Sequence, residues 1–541
     1  MKKNLSVIIN RLKDELKKNN YGEIEIFFYK DVEISSIEFD SRKVKKGSLF
    51  FALPGLHFHG NSFIKEAINK SAHAIVFQDK LNNETFALAE KMQIPLIKVS
   101  DTRFAMSPAS DEFYDKPSEK LICIGVTGTE GKSSTVSFVW QLLRLCNKKA
   151  GFISTVEYSI GEESVSNPEH QTTPESPIVQ RQLFEMVKNG CEYAVIESSS
   201  HGLSKKTNRL GNVLFDCAIF MNVTQEHLEF HGTLEQYKFD KANLFRALDK
   251  HEHKKNINGK EKLIQPLGIV CADSENAKYF CDATKKNIVG FSMNNNVVEN
   301  SKNYCGSLFV KNFYEDSKGI DFNVNSYENK LRINLPGTFN LYNVSAAILA
   351  VNNLINNFDK PVLSFDETIA TSLPKLKTVK GRMSIIDEGQ NFEVIVDYAH
   401  TPSSFQTIFP PLKNRCKGKI ISLFGSGGER DTKKRPVQGQ IADEFSDIII
   451  LCDEDPRGEN PMNLLQDIAN GIKNKKQNET LFLIPDRPKA IRKAFDIAKE
   501  NDIVLLLGKS HENSIIYKDY IMDYDEITEA KKALNEKGFT K

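Results

Sequence analysis

The chain has 541 residues, with 72 Lys and Arg against 71 Asp and Glu and a formal net charge of +1. That balance argues against nucleic acid or a membrane surface as the main partner, and the length suits about three domains of ordinary size. Hydrophobic residues make up 40% of the chain, Phe alone contributing 35, so proper cores can be buried and disorder is not expected. The nine cysteines are scattered without a C-x-x-C pair, the usage of a reducing cytoplasm rather than of a disulfide framework or a zinc ribbon. No apolar run approaches the length of a membrane span, and Met1-Lys-Lys-Asn4 leads into charged sequence rather than a signal peptide. A soluble cytoplasmic enzyme is expected, acting as a monomer on small molecules, without nucleic acid and without membrane insertion.

Taken in chain order, residues 3–20 carry Leu5, Ile8, Ile9, Leu12 and Leu16 at the spacing of an amphipathic helix. Strand-like runs follow at 24–29 and 32–39, and then Asp40-Ser41-Arg42 stands before a Gly turn and an aromatic strand. Those three residues fit either a plain capped turn or a polar loop that orients a substrate headgroup. A helix over 62–70 and a strand over 74–77 complete a small α/β unit, with a domain boundary near residue 111.

The stretch 121–145 organises the rest. An apolar run ends in Thr127-Gly128-Thr129-Glu130-Gly131-Lys132-Ser133-Ser134, and a helix-compatible apolar segment follows. Buried strand, tight turn and helix start in that order can cradle a phosphate, because a helix N-terminus offers unpaired N–H groups and partial positive charge, although the same order also suits a purely structural strand–turn–helix. Lys132 is placed to reach terminal phosphates and Ser133 to hold Mg2+. The spacing is shorter than the standard Walker form, since Val126 stands where that form has its first Gly. A second strand at Gly151 leads to the polar turn Gln171-Thr172-Thr173-Pro-Glu175. A third, ending in Glu197 and followed by Ser198-Ser199-Ser200-His201, puts a carboxylate at a strand's C-terminal edge, where open α/β sheets bind ligands and where it can serve Mg2+. His227 and His231 lie four apart, but Leu228 follows the first His and Gly232 breaks the helix, so a zinc-protease reading fails. On periodicity alone Lys241 reads as an exposed helix lysine.

The loop 125–134, Thr172-Thr173-Pro-Glu175, Glu197-x-Ser-Ser-His-Gly-Leu203 and His227-Leu-Glu-Phe-His-Gly232, with Lys241 fourteen residues past His227, together resemble the Mur ligases, and among them the tripeptide synthetases. The resemblance covers about residues 40–512, with the motifs in family order. It implies a three-domain α/β architecture: a small N-terminal α/β domain for the UDP substrate (1–111), a central P-loop ATPase-type parallel-sheet domain (112–378) and a C-terminal Rossmann-like domain for the incoming amino acid (379–541). It implies an ATP-dependent ligase that activates a carboxylate of UDP-MurNAc-L-Ala-D-Glu as an acyl phosphate and joins it to a diamino acid, with ATP and Mg2+ required. Lys241 would carry a CO2-derived carbamate that binds a second Mg2+ beside Glu197 and His227, and Lys132 would serve catalysis with those three. Ser41, Arg42, Thr172, Thr173, Ser199 and Arg209 would hold the muramoyl peptide. Two departures stand out: Glu130 replaces the family's usual Asn, and the segment 203–209 is longer than its counterpart.

Further on, Asn340 and Asn343 in a Gly-x-Phe-Asn-x-x-Asn turn match ATP contacts, as do Arg382, Asp397 and His400 beyond a boundary near 378. Three strand-end loops then match the site for the incoming amino acid. Arg430 and Arg457 would bind its carboxylate, a task suited to the forked guanidinium, and Gly508 and Glu512 its distal end. Glu454 and Asp455 stand where diaminopimelate enzymes have Asp-Asn, and Ser510 where they have Gly. The extra acid is expected to disfavour a second substrate carboxylate and so to favour L-lysine or L-ornithine over meso-diaminopimelate. A folylpolyglutamate synthase is the nearest alternative, opposed by Asp40-Ser41-Arg42 and Glu454-Asp-Pro-Arg457. A non-catalytic Mur-like binding protein is opposed by Lys132, Glu197, His227 and Lys241, and a generic P-loop kinase explains no motif beyond residue 203.

Overall fold

The structure, a computed structural model, describes residues 1–55, 59–168, 171–224, 226, 228–294, 304–316 and 318–541. It divides into two compact units, the first built mainly from Met1–Ser292 and Ala346–Leu363, the second from Phe309–Ser345 and Ser364–Lys541.

The first unit opens with the helix Leu5–Lys18, which buries Leu5, Ile8, Ile9, Leu12 and Leu16 on one face, as the 3.6-residue period requires. A five-stranded sheet follows, in the order Glu25–Phe27, Leu96–Lys98, Ala74–Phe77, Ser48–Phe51 and Ser36–Glu38, parallel except for its first edge strand. Residue 111 falls inside a helix, Thr102–Phe113, whose Phe104, Ala105, Met106, Ala109 and Phe113 share a core with the first helix. Pro108 sits within it. Proline cannot donate to the carbonyl four residues back, and Asn208 Nδ2 donates to that carbonyl, on Phe104, at 3.1 Å instead.

The same unit contains six neighbouring parallel strands: Ala150–Ile153, Tyr193–Glu197, Ile122–Thr127, Phe215–Phe220, Leu267–Cys271 and Asn287–Ser292. Their residues are almost continuously apolar, the pattern of strands covered on both faces. Ile122–Thr127 pairs with Tyr193–Glu197 on one side and Phe215–Phe220 on the other, bringing Val126 opposite Glu197 and Thr127 opposite Phe220. Three chain segments that carry motifs thus leave the sheet at one C-terminal edge.

The second unit holds a six-stranded sheet in the order Ser384–Ile386, Glu393–Asp397, Ile503–Leu507, Ile420–Phe424, Ile448–Leu451 and Leu481–Leu483, parallel but for the first strand. Asp397, Gly425, Asp453 and Gly508 follow or end four of these strands, so the loops read from the sequence gather at one sheet edge. The helix Phe339–Asn356 begins in this unit. Asn340 and Asn343 in its first turn are buried and bonded to each other at 3.3 Å, and Asn340 Nδ2 also donates to Pro336 O at 2.7 Å.

Candidate active site

The phosphate loop is held by its neighbours as well as by its glycines. Gly131, at φ +81°, caps the helix Lys132–Leu145 in the left-handed conformation that glycine adopts without strain. Asn222, just past the strand Phe215–Phe220, accepts from the Thr129 amide at 3.1 Å and the Glu130 amide at 2.8 Å through Oδ1, and donates to Glu130 O. Thr129 Oγ1 meets Tyr237 OH at 3.2 Å and accepts from the Thr224 amide at 3.0 Å. Asn222 and Tyr237 escaped the sequence reading, although a polar residue at a strand's C-terminal end was the available signal. Replacing Asn222 by alanine leaves the Glu130 amide without its acceptor and the Thr129 amide with only the Asn222 carbonyl, 2.9 Å away. It should weaken Mg-ADP binding about tenfold, about 1.4 kcal/mol, measured by titration calorimetry; affinity within twofold of the parent would show that the loop holds itself.

Glu197 is buried and lies against the loop helix. Its Oε1 accepts from Ser133 Oγ at 3.0 Å, and its Oε2 from Ser154 Oγ at 2.5 Å and the Thr155 amide at 2.9 Å. A hydroxyl and a carboxylate in direct contact at a phosphate-binding helix start form a hard oxygen donor pair suited to Mg2+. Lys132 Nζ donates to Thr129 O at 2.7 Å, folded back on its own loop.

Lys241 departs most from its sequence reading. It belongs to the helix Leu234–Ala247, yet only 1% of it is exposed. Its Nζ donates to Gly128 O at 2.6 Å and lies 4.5 Å from the Tyr237 ring centre. Burial, and then the charge of Lys132, push the amine well below its ordinary value, while Glu226, Glu130 and Glu197 pull the other way. His227 lies outside the described residues. Among the described residues, Asp216, His251 and His253 form another group with metal-ligand atoms close together. They do not fit a cation, because the buried Lys255 ammonium already sits 2.9 Å from Asp216 and both His253 nitrogens are engaged, by Asp216 and by Leu248 O.

Of the residues assigned to the muramoyl peptide, Thr173, Ser199 and Arg209 gather near Glu197, while Ser41 and Arg42 do not. Thr173 Oγ1 donates to Glu197 O at 2.8 Å and accepts from the Ser199 amide at 3.0 Å. Ser199 Oγ caps the short helix Ser200–Leu203. Arg209 donates to Thr173 O at 2.9 Å and to Glu175 Oε1 at 2.9 Å, so the long 203–209 segment still delivers its arginine here. Thr172, one residue before Thr173, is half-buried. Asp40 caps a single turn, Ser41–Lys43, and pairs with the exposed Arg42 side chain at 2.8 Å, while Ser41 Oγ donates to Glu66 at 2.8 Å. Locally, then, Asp40-Ser41-Arg42 is the capped turn.

In the second unit, Asp397 accepts from the Met383 and Ala399 amides, each at 2.8 Å, and burial raises its carboxyl above the usual range. His400 Nδ1 bonds to Tyr398 O at 2.8 Å, and the Arg382 guanidinium lies 4.7 Å from the Tyr398 ring. Lys509, a residue the sequence reading passed over, bridges two assigned acids, Asp455 at 2.8 Å and Glu512 at 2.5 Å. Tyr398 OH donates to Glu512 at 3.1 Å. Asp455 also accepts from the Ile516 amide at 3.0 Å, so its added charge is already matched. The unmatched acid is Glu454, whose Oε2 is buried without a hydrogen-bond partner beside Gly508. Gly508, at φ +96°, could accept a Cβ only 2.9 Å from that oxygen. Arg430 is exposed, and Arg457 is held at φ +52° by its amide's bond to Ile516 O. Ser510 turns its hydroxyl to Gly381 O.

Family models match along nearly the whole chain. The Mur ligase family catalytic domain matches residues 33–114, the Mur ligase middle domain 126–351, and the Mur ligase glutamate ligase domain 381–510. The UDP-N-acetylmuramyl-tripeptide synthetase of Treponema denticola is 54% identical over 93% of this chain and 94% of its own, and that of Treponema pallidum 46% identical over the same shares. Among solved structures, a UDP-N-acetylmuramoyl-L-alanyl-D-glutamate–2,6-diaminopimelate ligase is 25% identical, with a TM-score of 0.57 over 94% of this chain and 96% of its own. With its phosphate loop, Glu197 and buried Lys241 in place, the chain belongs to the Mur ligase family, as an ATP-dependent ligase of the tripeptide-synthetase kind.

Proposed function

We propose that this chain adds a diamino acid to UDP-N-acetylmuramoyl-L-alanyl-D-glutamate, as a monomeric cytoplasmic enzyme of three domains, 1–111, 112–378 and 379–541. The observation that carries the reading is the convergence of Lys132, the Ser133–Glu197 pair and Lys241 on one glycine-rich loop. Ser133 and Glu197 fit one Mg2+, being hard oxygen donors already in contact. Lys241 fits a second Mg2+ once carbamylated, with His227 and Glu197 as its companions. Burial lowers the amine's pKa and so raises the share of the uncharged form, the one that attacks CO2. An N–C bond forms, one C–O π bond opens onto oxygen, and the proton leaves to solvent. A buried amine beside Lys132 thereby becomes a carboxylate-like ligand. The bound cations supply charge neutralisation for the transferring phosphoryl group.

The chain's own residues then divide the work. Thr127–Ser134 and Lys132 hold the triphosphate of ATP; Asn340, Asn343, Arg382, Asp397 and His400 are the ATP contacts that the resemblance assigns in the second unit. Thr172, Thr173, Ser199 and Arg209, with Ser41 and Arg42, orient the muramoyl peptide so that its D-glutamate carboxylate attacks the γ-phosphorus and ADP departs. The amino acid's amine attacks the resulting acyl phosphate, forming the amide and expelling phosphate. Preorganised cations and dipoles in a water-poor site serve the charge that develops in both steps.

Arg430 and Arg457 receive the amino acid's carboxylate. Its distal ammonium goes to Glu454, whose Oε2 is partnerless, beside the Gly508–Glu512 loop that the resemblance assigns to it; Asp455 and Glu512 are both already paired with Lys509. This favours L-lysine or L-ornithine; meso-diaminopimelate remains the second reading because Arg457 is present and the similar solved ligase is named for that substrate. Phosphate release from Mg-ATP and UDP-MurNAc-L-Ala-D-Glu, with each of the three amino acids added separately, tests the assignment. Release with L-lysine or L-ornithine is expected; a strong preference for diaminopimelate overturns the charge argument, and silence with all three overturns the ligase reading. Glu454→Gln should raise KM for the accepted amino acid about 10- to 150-fold through loss of a charged contact worth about 1.5–3 kcal/mol, leaving KM for ATP within twofold.

A further inference from the structure

Asp240, His231 and Ser200 form a buried chain of hydrogen bonds that the reaction scheme leaves unused. His231 Nδ1 meets Asp240 Oδ2 at 2.9 Å, and Nε2 meets Ser200 Oγ at 3.0 Å. All three side chains are nearly inaccessible, with exposures of 2% for Asp240, 4% for His231 and 2% for Ser200. A carboxylate only accepts, so Nδ1 carries the proton and Nε2 accepts from the Ser200 hydroxyl. Gln236 Nε2 donates to the other oxygen of Asp240 at 3.0 Å, fixing the carboxylate. The arrangement has the order of a Ser–His–Asp triad, but no substrate can reach a serine this deeply buried, so nucleophilic catalysis is not its role.

Its neighbours indicate what it does. Asp240 directly precedes Lys241, Ser200 follows Ser199, and His231 ends the turn Leu228–His231, four residues past His227 in the chain. The His231 ring also packs 5.1 Å from Tyr237, edge on, whose hydroxyl touches Thr129 of the phosphate loop and whose face lies under Lys241. One imidazole therefore ties together the segments bearing a peptide contact, a metal ligand and the reactive lysine.

We propose that His231, oriented by Asp240 and Ser200, is a positioning residue that sets Lys241 and the turn Leu228–His231 in register for the second cation. This rests on the ligase reading for its catalytic consequence, but not for its effect on cation binding. Residues that orient a metal ligand through a second bond commonly govern affinity 10- to 100-fold.

The test uses the full chain, with Mn2+ binding in the presence of ADP followed by electron paramagnetic resonance and steady-state kinetics run in parallel. His231→Gln should weaken Mn2+ binding about tenfold and lower kcat 10- to 100-fold while leaving KM for the amino acid within twofold. Ser200→Ala, which removes one hydroxyl and keeps the fold, should give the same pattern at a few-fold. Mn2+ binding within twofold of the parent in both folded variants overturns the proposal, as does a KM for the amino acid that rises in step with the loss of kcat. Unfolding of both variants would assign the network to stability alone and equally overturn it. An inactive parent that still binds Mn2+ and ADP would refute the ligase reading while the Mn2+ comparison continues to decide on His231.

Discussion

Lys241→Ala should lower kcat by at least about a thousandfold, about 4 kcal/mol of transition-state stabilisation, and formate or acetate should restore part of it. The reasoning starts from where the amine lies. A lysine with 1% exposure, donating to Gly128 O and adjoining Lys132, has no carboxylate at salt-bridge distance among the described ion pairs. Burying a cation next to a cation is costly unless the group changes its chemistry. Carbamylation, as proposed, would resolve the conflict by placing negative charge where Lys132 and a cation could use it. Alanine removes that charge and leaves space lined by the Tyr237 ring, which a small carboxylate can enter. Lys241→Arg supplies the control, because a guanidinium stays protonated and forms no carbamate; it should be as inactive as alanine and resist rescue. Intact folding with no rescue of the alanine variant by either acid would count against the carbamate.

The phosphate loop was legible because its parts are contiguous: strand, glycine turn and helix start follow one another within 122–145, and each announces itself locally. Lys241 was not. The helix Leu234–Ala247 carries charged residues on several sides, and only the approach of Gly128, 113 residues earlier, shows which side is inside. The same holds in the second unit. Asp455 reads as a surplus acid until Lys509, 54 residues away, is found bonded to it, and the acid oxygen without a hydrogen-bond partner is on Glu454 instead. The boundary expected near 111 falls inside the helix Thr102–Phe113, which runs through Pro108 with Asn208 donating to the carbonyl that proline leaves open. Strands, loops and their order are local and were readable; charge pairing across the sheet edges is long-range and was not.

Arg487→Met is expected to be the most destabilising single change in the second unit, at about 3–5 kcal/mol. The guanidinium is fully buried and uses every nitrogen. Nε and Nη2 form a two-pronged contact with Glu526 at 2.8 and 2.7 Å, Nη2 also donates to Leu507 O at 2.7 Å, and Nη1 donates to Asp453 O at 3.2 Å and to Cys452 Sγ at 3.4 Å. Removing one partner of such a pair leaves the other charge buried without compensation, which is the source of the cost. Arg487→Met/Glu526→Leu should therefore be more stable than Arg487→Met alone, even though Tyr524 OH then loses its 2.6 Å bond to Glu526. A double variant no more stable than the single one would refute this account. The consequence for the reaction follows from the two carbonyls. Leu507 and Asp453 stand at the starts of the loops that carry Gly508–Glu512 and Glu454–Arg457, so freeing them loosens the groups assigned to the incoming amino acid. Hydrogen exchange should rise in peptides spanning 448–457 and 503–512 before it rises elsewhere in the sheet. KM for the amino acid should increase at temperatures where the variant remains folded, with KM for the muramoyl peptide unchanged. Arg487→Lys should rescue little of either effect, since a single ammonium cannot bridge a carboxylate and two separate strand ends.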